Sequence, residues 1–275
     1  MSNLRCLLFG LALTAPMEGR AADCISTRDS YDSAGRETVD VSMAADADVR
    51  KFCGPLQVVV RERDNDPRPN VRISAVYLEF GEPQLASEQV YNEVIQRWVD
   101  RIKFDMPVNI GPHEKHEQIL QISSFYRSTR LISATYLQWL CCGAHGIGGS
   151  TAINVDIERN ALLVPRDLFH LGAVANYCWE QFDRIDGEQT FRRHVPREKD
   201  FADNDFEGDK ISDRFGGGSL GMFAATLAES TWWSFTDAGA VLSFGPLLGY
   251  LGQYSCKLEN ADLRRMVRSG VQAPP

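Results

Sequence analysis

The hydrophobic and polar positions alternate or recur in a way that sorts most of the chain into elements. Residues 57–61 (QVVVR) form a short β-branched run, which predicts a strand. In residues 71–80 (VRISAVYLEF), Val71, Ile73, Ala75 and Tyr77 fall on one side of a period-two pattern, the mark of a strand at least half buried. The period then lengthens. Val90, Tyr91, Val94, Ile95, Trp98, Val99 and Ile102 sit at helical spacing, predicting an amphipathic helix over 87–104 with Ser87 as its cap. Three more strands are predicted at 117–126, 130–139 and 150–157 from their β-branched and aromatic content. A glycine-rich segment over 143–149 would connect the last two. Asn160 reads as a turn, Pro165 to Phe169 opens a helical region, and 171–182 continues it as an amphipathic helix. Residues 183–215 are densely charged and read as helix pieces and a surface loop, and Gly216 to Ser219 as a flexible break. Short strands follow at 232–235, 240–244 and 252–257, with a hairpin turn at Asp237-Ala238-Gly239, and Asn260 caps a last helix over 261–267. A strand meander with a few helices and no internal repeat predicts an α+β fold, an antiparallel sheet with helices packed on it in a single main domain.

The first residues belong to another class. Arg5 followed by the apolar stretch from Leu7 to Pro16, then small residues at Ala21 and Ala22, reads as a secretory signal over 1–22. The stretch is too short to span a bilayer, and no later stretch is apolar enough, so no transmembrane segment is predicted. Residues 23–53 are then an N-terminal extension and 54–268 the main domain. A soluble periplasmic or secreted protein is favoured over one lipid-anchored at Cys24, because Asp23 precedes that cysteine and no lipoprotein box is present. The net charge of −8 makes the chain a poor partner for nucleic acid and a better one for a cationic protein.

Export changes how the cysteines read. Of seven, Cys6 leaves with the signal, and an even remainder in an oxidising compartment argues for disulfides. The favoured pairs are Cys24–Cys53, pinning the N-terminus, and Cys178–Cys256, tying a helix to a late strand. Cys141 and Cys142 would bond each other or stay reduced.

The segment from Cys141 to Ser150 (CCGAHGIGGS) is the strongest local signal. A zinc site built on Cys141, Cys142 and His145 fails on spacing, because paired zinc ligands usually lie two to four residues apart, and His113, His116, His170 and His194 complete no ligand motif. No metal or other cofactor is expected. A thiol nucleophile with His145 as its base is a second reading, weakened by export and by the absence of a nucleophile elbow. The favoured reading is a glycine-rich crossover braced by His145. Asp203 to Gly208 (DNDFEG) is similar to a calcium loop, but Arg214 stands where the bidentate Glu belongs, so a solvated acidic loop is expected. In Trp232-Trp233, alternation puts one indole in the core and leaves the other free to stack on a sugar or a protein.

The landmarks Asn92, Trp98, Ser123, Tyr126, Leu131-Ile132-Ser133, Gly143-Ala144-His145-Gly146, Asn154-Val155-Asp156, Asp167-Leu168-Phe169, Trp233-Ser234-Phe235 and Val241-Leu242-Ser243-Phe244 come in an order that resembles the extracellular C-terminal domain of the lysozyme-sensing anti-sigma-V factor. The same domain type is appended to a peptidoglycan deacetylase. The resemblance covers roughly residues 54–268, and the Cys141-Cys142 pair is not part of its pattern. It implies an α+β fold, extracytoplasmic residence, and a ligand that is a lysozyme-like protein or peptidoglycan. The deacetylase chemistry lies in a separate domain that has no counterpart here. The expected activity is therefore binding without catalysis, through Gly143, Ala144, His145, Gly146 and Trp232 or Trp233. The alternative is a cell-wall hydrolase using His145 with a carboxylate or a cysteine.

Overall fold

A computed structural model describes residues 21–31, 37–62, 71–102, 116–142, 145–186, 200–207, 210–216, 218–244 and 255–269. Residues 1–20 of the expected signal over 1–22, the linker at 63–69, the turn residues Gly143 and Ala144, and the charged stretch 187–199 lie outside them.

The architecture is α+β. A seven-stranded sheet runs in the order β4 (Leu56–Glu62), β5 (Val71–Phe80), β6 (His116–Ser128), β7 (Leu131–Cys142), β8 (His145–Asp156) and β9 (Ala161–Leu162), with β1 (Ala21–Asp23) paired to the end of β6. Every pairing in it is antiparallel except β5 with β6, which is parallel because helix α2 (Ala86–Asp100) lies between them in the chain. A parallel pair needs such a crossover, whereas antiparallel neighbours can be joined by a tight turn.

Strong periodicity placed β5 correctly to the residue, and Val71, Ile73, Ala75 and Tyr77 are all buried. The sheet carries a core on each face. Leu120, Ile132, Ala134, Tyr136, Ile153 and Val155 pack with α2, with the hairpin of β2 (Ile25–Tyr31) and β3 (Glu37–Met43), and with α1 (Ala47–Cys53). Leu131 and Tyr126 point into the opposite core. That core is built by α3 (Pro165–Leu168), α4 (Leu171–Asp186), α5 (Lys210–Phe215), α6 (Ser219–Ala228), the three-stranded sheet of β10 (Trp233–Thr236), β11 (Gly239–Ser243) and β12 (Ser255–Glu259), and α7 (Asn260–Met266).

Both favoured disulfides are present. Cys24–Cys53 joins the start of β2 to the end of α1, and Cys178–Cys256 joins α4 to β12. A cysteine sulfur held in a disulfide cannot carry a lipid, so the bond to Cys53 removes Cys24 as an anchor. The two positions expected to precede signal cleavage, Ala21 and Ala22, lie within β1, opposite Ser128 and Arg127. Processing there would shorten that strand. Among the described residues no helix is long and apolar enough to cross a membrane.

Several expectations are corrected. Ser87 is not the cap of α2; the helix begins at Ala86, and the Glu88 carboxylate instead accepts the Gln84 and Leu85 N–H groups at 2.6 and 3.2 Å. Asn260 is the first residue of α7 rather than its cap, and its Nδ2 donates to the Asp237 carbonyl at 2.7 Å, fastening the helix to the β10–β11 turn. In that turn Gly239 has φ +143, and a Cβ there would lie 2.0 Å from the Leu258 carbonyl, so only glycine fits. The acidic loop is solvated only in part, with Asn204 and Glu207 exposed. Asp203–Phe206 is a 3-10 turn in which Asp205 is buried and ion-paired to Arg214, the residue that occupies the bidentate-Glu position of a calcium loop. Asp203 accepts the Gly172 N–H at 2.9 Å at the start of α4 and meets His170 Nδ1 at 2.5 Å.

One carboxylate contact gives a pH dependence. Asp23 on β1 stays partly exposed, and its pKa is raised to about 6, first by partial desolvation and then by Asp237 on the β10–β11 turn. Its folded pKa exceeds the ordinary 3.8. The proton-bound form is therefore favoured by folding, and the stability it contributes is complete below about pH 4 and lost as pH rises through about 6. Denaturant midpoints measured at both ends of that window should show Asp237→Asn losing less stability on going to neutral pH than the wild type. Equal losses would contradict the coupling.

Candidate functional site

Strands β6, β7 and β8 run on together past the Tyr136 row as a ribbon whose β6 edge stays paired to β5 over His116–Gln121. The register fixes which side chains share its faces. Trp98 on α2 packs edge-on against Tyr136 with ring centroids 5.8 Å apart, which places Tyr136, and by alternation Gln138 and Leu140, on the α2 side. Trp139 therefore projects from the other side. It lies in one row with Ile119 of β6 and Gly148 of β8. Leu137, Trp139 and Leu140 are all exposed large apolar side chains, concentrated within four residues. Leu137 and Trp139 share one face and Leu140 lies on the other, so the contiguous apolar patch that marks a binding surface is the Leu137–Trp139 pair.

A groove of about 670 Å³ forms around this ribbon at β8. On the α2 side its walls include Trp98, Arg101 and Gln138, and on the other side Ile119, Trp139, Gly148, Ser150, Thr231 and Trp232. The second wall is completed by the 3-10 turn Ser230–Trp232, which packs against β8. That turn is held in place by Asn154 of β8, whose Nδ2 donates to the Ser230 carbonyl at 2.6 Å and the Trp233 carbonyl at 2.7 Å. Ser133 Oγ accepts the Phe235 N–H at 3.1 Å, and Thr135 and Ser234 share a hydrogen bond, so β10 is clamped to β7 immediately beyond.

Trp139 is the most constrained wall. A Cβ built on Gly148 would come within 2.3 Å of Trp139 Cε3 and 2.7 Å of Cζ3, so the indole lies over the bare backbone of the neighbouring strand. Its Nε1 donates to Glu117 Oε2 at 3.1 Å. One ring face is thus seated on glycine and the N–H is held, while the side chain stays 40% exposed. The Nε1 of Trp232 similarly donates to Glu229 Oε2, at 3.3 Å.

The expected site residues are distributed unevenly around this groove. Trp232 lines it. Trp233 is fully buried, stacked on Phe169 at 5.0 Å with its Nε1 donating to the Leu227 carbonyl, so it is removed as a contact residue. His145 and Gly146 are the first two residues of β8, their backbones paired with Cys142 and Cys141. The side chains of His145, Cys141 and Cys142 lie outside the described set, as do Gly143 and Ala144. The glycine-rich crossover is corrected to a hairpin. Gly146, Gly148 and Gly149 belong to strand β8, and β7 runs three residues further than its expected end at Trp139. Cross-strand hydrogen bonding outweighs the weak strand preference of glycine here. Trp98, Trp139, Ser150 and Thr231 were not anticipated as site residues. The available signal was the bare Gly148-Gly149 pair following an outward Trp139.

No known family profile matches the chain, and no curated protein matches its sequence. Among solved structures, it is similar to a DUF3298 family protein from Pseudomonas aeruginosa PAO1, at 14% identity and TM-score 0.46, covering 78% of this chain and 94% of that one. It is also similar to a DUF3298 member from Bacteroides fragilis, at 12% identity and TM-score 0.41, covering 91% and 94%.

Proposed function

We propose that the chain is an exported, non-enzymatic binding protein of the cell envelope whose ligand, peptidoglycan or a lysozyme-like protein, seats in the tryptophan-lined groove around β8. The observation that carries this reading is the held indole of Trp139 over Gly148. An aromatic side chain that is rigid before binding loses little conformational entropy on binding, and such anchors carry most of the energy of recognition. The two disulfides suit an oxidising compartment. The net charge of −8 suits a cationic wall-active protein. The order of sequence landmarks resembles a lysozyme-sensing domain.

Pull-down with insoluble peptidoglycan and with lysozyme tests the reading. One of the two should retain the protein, and Trp139→Ala should weaken retention by about 30-fold, the loss that a hot spot of about 2 kcal/mol carries. Retention by neither would sink the proposal. Turnover of a muramyl substrate that disappears in His145→Ala with the fold intact would replace it with a hydrolase.

A further inference from the structure

We propose that the Trp139–Trp232 wall of the groove is a glycan subsite that takes β-linked N-acetylhexosamine rings. This rests on the binding-protein reading above and names its ligand class.

Three observations converge. Both indoles on this wall have their N–H groups directed to carboxylates, Trp139 to Glu117 and Trp232 to Glu229, so each offers a ring face rather than a donor. Trp139 is also backed by Gly148 on one side. A fixed, one-sided aromatic platform matches the apolar C–H face of a pyranose, whose polarised hydrogens are drawn to the electron-rich ring. The polar groups beside the indoles are the hydroxyls of Ser150 and Thr231. They suit the equatorial hydroxyls at a sugar rim. Among the described lining residues the only charged side chain is Arg101, and it lies on the α2 side. With the Glu117 and Glu229 carboxylates bound to the two indole N–H groups, a neutral ring fits this wall better than an anionic peptide.

The acetamido group has its own counterpart. The outer edge of β8 meets β9 only at Val155 and Asp156. From Gly148 to Thr151 the strand lines the groove, and among the described residues no strand pairs with that edge. An open strand edge presents alternating N–H donors and C=O acceptors. A substituent that is itself an amide can pair with both. A plain hydroxyl donates and accepts from a single oxygen, so it cannot span a donor and an acceptor set apart along the strand as the separate N–H and C=O of an acetamide can.

The test is a tryptophan-fluorescence titration with chitotriose and with cellotriose, which has the same β-linked rings without the acetamido groups. Taken to about 10 mM, tenfold above a millimolar Kd, chitotriose should give a saturable change and cellotriose at least a tenfold weaker one. Trp139→Ala and Gly148→Val should each weaken chitotriose binding at least tenfold. The first removes the platform, and the second lifts the indole off its seat. Unchanged thermal unfolding of Trp139→Ala would show that the loss is local. No saturable chitotriose response from folded wild type overturns the inference, and so does equal binding of the two sugars. If insoluble peptidoglycan or lysozyme still retains the protein in that case, the glycan assignment falls alone. If neither retains it, the binding-protein reading falls too. Pairing of a second copy along β8, seen as a dimer that chitotriose does not dissociate, would also overturn the assignment.

Discussion

Replacing Cys178 and Cys256 together by alanine is expected to lower stability by about 4.5 kcal/mol. The bond closes a sequence separation of 78 residues, against 29 for Cys24–Cys53. On the chain-entropy estimate the longer loop stabilises by about 4.5 kcal/mol and the shorter by about 3.6 kcal/mol. Both half-cystines are fully buried in the core that contains Trp179, Phe182, Leu242 and Leu258. Loss of their packing adds to the entropic loss. For a domain of this size the thermal midpoint should fall by roughly 10–15 °C. Calorimetry of the double variant reads this directly, and a fall of less than about 3 °C would refute the estimate. Full reduction of the wild type should lower the midpoint further than the double variant does, because it also opens Cys24–Cys53.

Glu88→Ala is expected to cost about 3–5 kcal/mol, the range for removing one member of a buried ion pair. Glu88 Oε1 meets Arg127 at 2.7 Å with both side chains almost wholly buried. Arg127 also donates to the Cys53 carbonyl at 2.9 Å and lies over the Phe80 ring at 5.6 Å. The second carboxylate oxygen holds the two N–H groups ahead of α2. Truncation therefore strands a guanidinium in the core and uncaps a helix in one step. Glu88→Gln keeps the acceptor and should lose less. Replacing Glu88 and Arg127 together by Leu and Met should recover much of the loss, because the penalty comes from the unpaired charge rather than from the absence of the pair. A denaturant double-mutant cycle showing additive losses would contradict this account.

Local periodicity made some elements legible and left others hidden. In β5 the alternation is strong and the span came out as read. In the ribbon it failed, because Gly146, Gly148 and Gly149 have no side chain to show a period and are strand only by virtue of β7. The resemblance picked out Asn92, Ser133 and Asn154 as landmarks, and the structure shows why such residues stand out. Asn92 is hydrogen-bonded to both the N–H and the carbonyl of Phe80, while Ser133 and Asn154 hold β10 and its preceding turn to the sheet. They are fold fasteners. The candidate site depends instead on register: Trp139 becomes a platform only because Gly148 stands opposite it, and that pairing cannot be read before the strands are aligned. The Glu88–Arg127 pair is hidden for the same reason, since its partners lie on elements joined only in three dimensions.

The end of the chain closes what its middle begins. Phe169 bridges to Val267, the His170 N–H donates to the Met266 carbonyl at 2.7 Å, and the Arg268 N–H donates to the Leu168 carbonyl at 2.9 Å. These contacts, about a hundred residues apart along the chain, mean that the larger core lacks one wall until the last helix has been synthesised. Pairings of such high sequence separation form slowly, because a long loop must close before any contact rewards it. The larger core therefore stays incomplete until residues 260–268 are in place. Quick closure of the Cys178–Cys256 bond would then convert a slow search into a committed fold.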